Sequence, residues 1–292
     1  MLATGVARHA GASYLLEETY YKGGPLSISA FAAGDLDIAG FGFVTIATAI
    51  RGAGIADLRV IGDVGQDGVE GWYMNHYSVR NDAPIHSIED LKGRVLAINV
   101  KGGLIDVPLR AMLHKHGMDD AKDVTIIEVA LPNMKSILLD GKADLIGTLL
   151  PFSADQQLQA NSRTLFRAYD AVGRDQVSTI VAHADFIAKN RAALVDFLED
   201  YIRAVRWYVD PANHSKAIQI VADFTKQPPS VFDSWAFTRG DQYRNPNAVP
   251  DTELLQANVN LLGPLGYLKA PIDMRQYVDG SLAREAAARL SP

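Results

Sequence analysis

Residues 27–51 read Ser27-Ile-Ser-Ala-Phe-Ala-Ala-Gly34-Asp-Leu-Asp37-Ile-Ala-Gly40-Phe41-Gly42-Phe43-Val-Thr45-Ile-Ala-Thr-Ala-Ile-Arg51. The spacing predicts a helix stopped at Gly34, a short strand over 37–39, a Gly-Phe-Gly turn, and a new helix from about Phe43. A glycine just past a helix adopts the left-handed conformation that closes it. Leu36–Ala39 is short and apolar, as a strand buried on both faces would be. Gly40 and Gly42 let the backbone turn sharply. The free N–H groups of the next helix then point into that turn, a ready site for an anion or polar head group.

The same spacing recurs. Gly34-x-x-Asp37-Ile-Ala-Gly40 is matched by Gly141-x-x-Asp144-Leu-Ile-Gly147, again a helix stop, a short apolar strand and a small-residue turn, followed by Thr148, Leu149 and Pro151. Either copy alone is ordinary for a helix-to-strand connection. Two in one chain favour two similar α/β lobes facing one cleft.

Working outward, the N-terminal residues 2–10 read as the tail of a helix, 14–21 as a β-rich run, and Lys22–Pro25 as a turn. An α/β domain normally opens with a strand before the first helix. None is visible, so the chain is expected to start late. Downstream, Leu58–Val64 reads as a buried strand and Gly71–Arg80 as a half-exposed one. Ser87-Ile-Glu-Asp90 reads as a capping box. Residues 94–150 then read strand–helix–strand–helix–strand, which implies a parallel sheet. Another strand is expected at 178–183, and helices at 190–209, 213–224, 228–236, 250–264 and 281–290. The strands at 71–80 and 178–183 would cross between lobes as a hinge. The expected division is a discontinuous first lobe, 1–80 plus 180–292, and an inserted second lobe, 81–179. Ligands of open α/β sheets lie at the C-terminal ends of strands, here between the lobes.

The chain of 292 residues suits two domains, and its 48% hydrophobic and 21% charged composition is that of a globular protein. A net charge of −6 without a basic run argues against nucleic acid. There is no cysteine, which excludes disulfides, thiolate metal sites and a cysteine nucleophile. No run of about 18 apolar residues occurs to span a membrane. The N-terminus does not read as a signal peptide. The seven histidines show no metal-ligand spacing, and His114 and His116, two apart on a helix, face different ways. No phosphate loop, dinucleotide fingerprint or G-x-S-x-G motif is present. No cofactor or metal is expected.

The string from Gly23-Gly-Pro through Ala-Gly34-Asp-Leu-Asp37-Ile-Ala-Gly40, then Ile88-Glu-Asp-Leu-Lys-Gly-Arg-Val-Leu-Ala-Ile98, the Lys101-Gly-Gly turn, and Gly141-Lys-Ala-Asp144 through Pro151 resemble the substrate-binding proteins of ABC importers. The nearest branch is the nitrate/sulfonate/taurine/bicarbonate group, with its thiamine-precursor (NMT1/THI5-like) binders. The resemblance covers about residues 14–270. It implies a periplasmic-binding-protein type II fold: two α/β lobes joined by a two-strand hinge, with the ligand cleft between them. It also implies capture of a small organic or inorganic anion in the periplasm, delivery to an inner-membrane ABC permease, no catalysis, and a monomer. In this branch the first strand's following loop helps line the cleft, and the third turn often carries Ser or Thr where this chain has Gly102-Gly103.

The residues expected to meet the ligand are Phe41, Gly42, Phe43 and Thr45 at the first turn and Gly102, Gly103 and Leu104 at the third. Thr148 and Leu149 follow the second Gly-x-x-Asp strand, Gln66 follows the 58–64 strand, and Trp72 lies on a crossing strand. Each has a structural alternative in core or hinge packing, and Lys101 reads as a solvated lysine. The aromatic rings would favour an organic carboxylate or sulfonate, aromatic ones included, over nitrate. Asp37 and Asp144 could be paired as catalytic carboxylates, but the resemblance implies that each bonds local backbone. The alternative is an enzyme on the same fold, of the thiamine-pyrimidine or menaquinone-pathway type. The first kind uses a cysteine-rich motif that this chain cannot supply, and no acid–base set is apparent for the second.

Overall fold

Two separate sheets organise the computed structural model, which describes residues 1–21 and 23–290. Lys22, which opens the expected turn, lies outside the described residues. In chain order, α1 (Gly24–Ala33), β1 (Ile38–Phe41), α2 (Phe43–Arg51) and β2 (Leu58–Asp67) are followed by β3 (His76–Arg80), β4 (Val95–Ile98), α3 (Asp106–Lys115) and β5 (Thr125–Glu128). Then come α4 (Met134–Leu139), β6 (Leu145–Thr148), α5 (Gln156–Asn161), β7 (Ser162–Arg167), α6 (Ala168–Val172) and β8 (Asp175–His183). The C-terminal part is helical: α7 (Ala184–Val209), α8 (His214–Thr225), α9 (Thr252–Leu261) and α10 (Ser281–Arg289).

The first sheet has the order β1-β8-β2, and the second β5-β4-β6-β3-β7. In the second, β4 pairs parallel with β5 and β6, so the expected strand–helix–strand–helix–strand block is present. In the first, β8 runs antiparallel to both neighbours. The chain passes between the sheets twice, over 68–75 and over 168–174. The strand expected at 71–80 is shorter, His76–Arg80, and is hydrogen-bonded within the second sheet to β6 and β7. The strand expected at 178–183 begins earlier, at Asp175, because β2 continues to Asp67 and supplies its partner.

The 27–51 element forms as its residues dictate. Gly34 takes a left-handed φ of 80°, and its N–H closes α1 on Ala30 and Phe31 carbonyls. Gly42 caps α2 in an extended conformation. Its lack of a side chain is needed for close approach, because a Cβ there would lie 2.5 Å from the Val177 carbonyl oxygen of β8. β1 differs from expectation. It is the sheet's edge strand, with Gly40 exposed and Ile38 and Ala39 half-buried, since only β8 flanks it.

Three smaller differences remain. Residues 14–21 form no strand, and 228–236 hold only one 3-10 turn, Pro229–Val231. The long helix α7 starts at Ala184 and is broken at Asn190, whose side-chain amide donates to the Phe186 carbonyl.

Each sheet buries both faces. One cluster of the first lobe joins Phe31, Phe41, Phe43, Ile46, Leu255 and Val259. Another packs Ile61 and Ile180 against α7 and α10. In the second lobe, Tyr77, Leu96, Ile105 and Leu109 fill one face, and Ala97, Met134, Leu138 and Ile146 the other. Among the described residues no helix is long and apolar enough to cross a membrane.

Candidate functional site: the seam between the lobes

The two turns singled out in the sequence come together where the lobes meet, through side chains rather than across an open gap. Val107, at the start of α3 in the second lobe, is fully buried in the first lobe's cluster with Phe41, Phe43 and Leu255. Leu104, Tyr267 and Leu268 pack against the same cluster. The lobes are therefore closed on each other at this point.

Asp106 is the polar centre of the seam and is fully buried. Its carboxylate accepts from the Gly102 backbone N–H at 2.7 Å and from Arg110 Nε at 2.8 Å. The Tyr267 hydroxyl of the first lobe also donates to it. Arg110 in turn pairs with Asp120, and His114 with the same Asp120 carboxylate at 2.8 Å. Burial, helped by the bond to Asp106, pushes the Tyr267 hydroxyl pKa well up, so it remains a donor at any ordinary pH. A buried carboxylate in contact with a guanidinium and a hydroxyl is a strong, charge-assisted junction. Replacing Tyr267 with Phe is expected to destabilise the protein by about 1–1.5 kcal/mol. Urea unfolding measures this, and an unchanged midpoint would show that the bond adds nothing to closure.

The expected site residues divide by position. Gly102 and Gly103 do form a turn, but their N–H groups are engaged, with Asp106 and with the Val100 carbonyl at 3.1 Å. The helix behind them begins at Asp106, and the Gly103 carbonyl accepts from the Asp106 and Val107 N–H groups, both at 3.1 Å. Leu104 lies at the seam, its carbonyl accepting from Asn75 Nδ2 at 2.8 Å. Phe41 and Phe43 are 1% and 0% exposed, so their rings are core and offer no aromatic wall. The backbone around Gly42 remains, with first-turn amides of α2 that have no partner within the helix. Thr45 packs at the start of α1, where its Oγ1 would lie 3.3 Å from a Cβ on Gly24.

Gln66 is buried, donating to Asp63 Oδ2 at 2.6 Å and accepting from Arg174 at 2.6 Å. Trp72 is half-buried and packs edge-on against Tyr243, with ring centroids 6.0 Å apart. Thr148 is 1% exposed and lines a different space, a cavity of about 240 Å³ in the second lobe shared with His76, Ser78, Ser162 and Thr164. Burial holds the His76 pKa below its ordinary value, consistent with a neutral ring there. Leu149 packs against the second lobe's core.

Two seam residues were not foreseen. The side-chain oxygens of Asn75 and Asn99 are shielded from solvent and have no hydrogen-bond partner among the described residues. Asn99 Oδ1 would lie 3.6 Å from a Cβ on Gly103, so both amides border the 102–104 turn. Buried acceptors without partners are costly, and where they persist they mark a place for a donor. An asparagine just before a strand, as Asn75 is, or just past one, as Asn99 is, carries no such signal in sequence.

The two matched aspartates differ. Asp144 Oδ2 accepts from the Val95 N–H at 2.9 Å, a backbone role. Asp37 is exposed and has no side-chain partner among the described residues, because β1 is an edge. Among the described residues, one group of three possible metal ligands occurs: His9, Asp196 and Glu199. Its carboxylates are already paired, Glu199 with Arg203 at 2.6 Å and Asp196 with Arg289 at 2.8 Å, so the group reads as an ion-pair network.

Comparison with solved structures finds the aliphatic sulphonate binding protein SsuA of Escherichia coli, 20% identical, with a TM-score of 0.69 over 89% of this chain and 80% of that one. The nitrate-binding protein NrtA of Synechocystis PCC 6803 is 17% identical, with a TM-score of 0.69 over 92% of this chain and 79% of that one. The desulfurization enzyme DSZB is also similar, at 14% identity and a TM-score of 0.64 over 87% and 86%. At such identities the likeness establishes the fold, the two-lobed periplasmic-binding-protein type II architecture. Comparison with curated protein sequences finds no match. The family described as NMT1/THI5 like matches residues 28–214, well over half the chain, and the chain therefore belongs to the NMT1/THI5-like family.

Proposed function

We propose that this chain is the solute-binding component of an ABC importer, working in the periplasm with an inner-membrane permease. It would take a small organic acid between the lobes and turn over no substrate. The observation that carries this reading is the pair of shielded, partnerless oxygens of Asn75 and Asn99 at the seam, with the first-turn amides of α2, which have no partner within their helix, belonging to the first lobe. Helix-start amides favour an anionic head. The two asparagine oxygens call for N–H or O–H groups on the same ligand. The ligand is thus an acid that also carries a donor, and bare nitrate would leave the asparagines unpaired. Contacts are assigned to Gly42, Leu104, Asn75 and Asn99, with entry by opening about the two crossings at 68–75 and 168–174. The similarity to sulphonate- and nitrate-binding proteins supports the class.

An enzyme reading has one specific support, the like fold of DSZB. A cysteine nucleophile is not available to it, since the chain has no cysteine.

A thermal-shift panel tests the proposal, with taurine and other amino- or hydroxy-substituted acids against nitrate and unsubstituted acids. Ligand at about 100 times Kd stabilises by roughly 2.7 kcal/mol, a rise of several degrees in Tm. The expected result is a rise with a donor-bearing acid that Asn75→Ala and Asn99→Ala each reduce. A rise with nitrate alone would overturn the ligand class. Consumption of any panel member would overturn the non-catalytic role.

A further inference from the structure

Where the chain leaves the first sheet and where it returns, two acids stand opposite each other. Asp67 is the last residue of β2 and Asp175 the first of β8, and the antiparallel register pairs them directly. Each is 2% exposed. Asp67 Oδ1 accepts from the Gly68 and Met74 N–H groups at 3.0 and 2.8 Å. Its other oxygen, Oδ2, has no partner, and neither has Asp175 Oδ1. Two buried acids side by side, each with an unpartnered oxygen, cannot both be ionised without severe repulsion.

We propose that Asp67 and Asp175 hold one proton between them, and that this proton fastens β2 to β8 at the root of both crossings. One carboxylic O–H donates to the other carboxylate, the pair carries a single negative charge, and both unpartnered oxygens are satisfied. The surroundings agree. Arg167, at the end of β7, is the cation whose charge acts on Asp67, and it also lies over the Tyr73 ring. Tyr77 of β3 feels Asp175, Asp106 and Asp67 together and, its own pKa raised by burial, stays neutral. Arg174, the neighbour of Asp175 in sequence, is turned to Gln66 and Asp251 instead. Asp63, two turns of the pleat away on β2, is bonded by Gln66 and Gln176 amides. Burial raises the pKa of both paired acids, and in Asp175 the Asp67 charge adds to it.

The sign follows from linkage. The native pair keeps a proton at pH values where the unfolded carboxyls, with pKa near 3.9, have lost theirs. The native state then binds more protons, so stability falls as pH rises and is lost once the pair ionises. Asp63, pushed up to about 6 by burial, adds a fall of its own that is complete by about pH 8.

Infrared spectroscopy of the whole chain, with Tm measured from pH 5 to 9, tests the proposal. At pH 8 the wild type is expected to show a protonated carboxyl C=O band. Asp175→Asn is expected to abolish it, since the new amide donates to Asp67 Oδ2. The same variant should melt about 5 °C above wild type at pH 9, with no gain at pH 5. A wild-type protein without that band at pH 8 overturns the proposal, whether or not the variant folds. So does a band that survives in Asp175→Asn and disappears in Asp63→Asn.

Discussion

Asp200→Ala is expected to destabilise the protein by about 3–5 kcal/mol and to release residues 8–14 from the first lobe. Asp200 lies on α7 and is fully buried. One carboxylate oxygen accepts from the Arg8 N–H at 2.7 Å. The other accepts from the His9 and Ala10 N–H groups at 2.9 and 3.2 Å and from the Tyr14 hydroxyl at 2.9 Å. Four donors converge on one side chain, and truncation leaves all of them without an acceptor. A hydrogen bond to a charged group contributes roughly 1.5–3 kcal/mol, and the four are not additive. Tyr14 also packs edge-on against Phe197, so the loss extends into the core. Burial alone would raise the Asp200 pKa, but the Arg8 and His9 amides and the Tyr14 hydroxyl outweigh it and hold the carboxyl below its usual range. For a lowered pKa the stability is present above the unfolded value, near 3.9, and is lost as pH falls through the folded one. The variant should therefore lose part of the wild type's acid sensitivity below about pH 4. Asp200→Asn keeps one acceptor oxygen and should cost about half as much. Urea unfolding and limited proteolysis check both. A full-strength midpoint with no cleavage in 8–14 would show that the segment is held by other contacts.

The anchoring of residues 8–14 also marks the limit of what the sequence discloses. The Arg8–Asp200 bond joins residues 192 apart, and the Tyr267–Asp106 bond residues 161 apart. No periodicity encodes such a pairing. What was legible is local. The glycine stop of α1, the start of α2 at Phe43 and the parallel block from β4 to β6 each follow from patterns a few residues long. Burial of β1 was misjudged because composition reports that a strand is apolar, whereas edge or centre depends on which strand arrives beside it. The site suffered most from this. Phe41 and Phe43 are apolar residues at a turn, and distant segments make them core: Phe31, Leu255 and Val259 of their own lobe, and Val107 of α3. Asn75 and Asn99 matter because their partners are absent, and an unmet hydrogen bond cannot be read before the neighbours are known.

The duplicated Gly-x-x-Asp…Gly spacing turns this contrast into a second large effect. Gly147→Ala is expected to destabilise by about 2–3 kcal/mol, whereas Gly40→Ala, at the matching position, should stay within about 0.5 kcal/mol of wild type. A Cβ on Gly147 would lie 2.1 Å from Ile105 Cγ2 and 3.0 Å from Tyr77 Cε1. Neither neighbour can yield easily. Tyr77 is fully buried, its ring stacked on Phe166 with centroids 4.2 Å apart and its hydroxyl bonded to the Ile105 carbonyl at 2.5 Å. Ile105 is equally buried. The methyl group must push the 102–106 turn outward, toward Tyr267 and the first lobe. Gly40 is exposed on an edge strand, and the nearest atom to its Cβ would be Ser178 Oγ at 3.7 Å. One sequence pattern thus specifies an obligatory glycine in the second lobe and a dispensable one in the first. Paired urea unfolding of the two variants decides the matter, and equal losses would show that Ile105 relaxes without cost. Since Ile105 adjoins Leu104 and Asp106, Gly147→Ala should also reduce the thermal shift given by a seam ligand, while Gly40→Ala leaves it intact. A Gly147→Ala protein that lost stability yet kept the full ligand shift would separate the turn's packing from binding and would move the ligand away from residues 102–104.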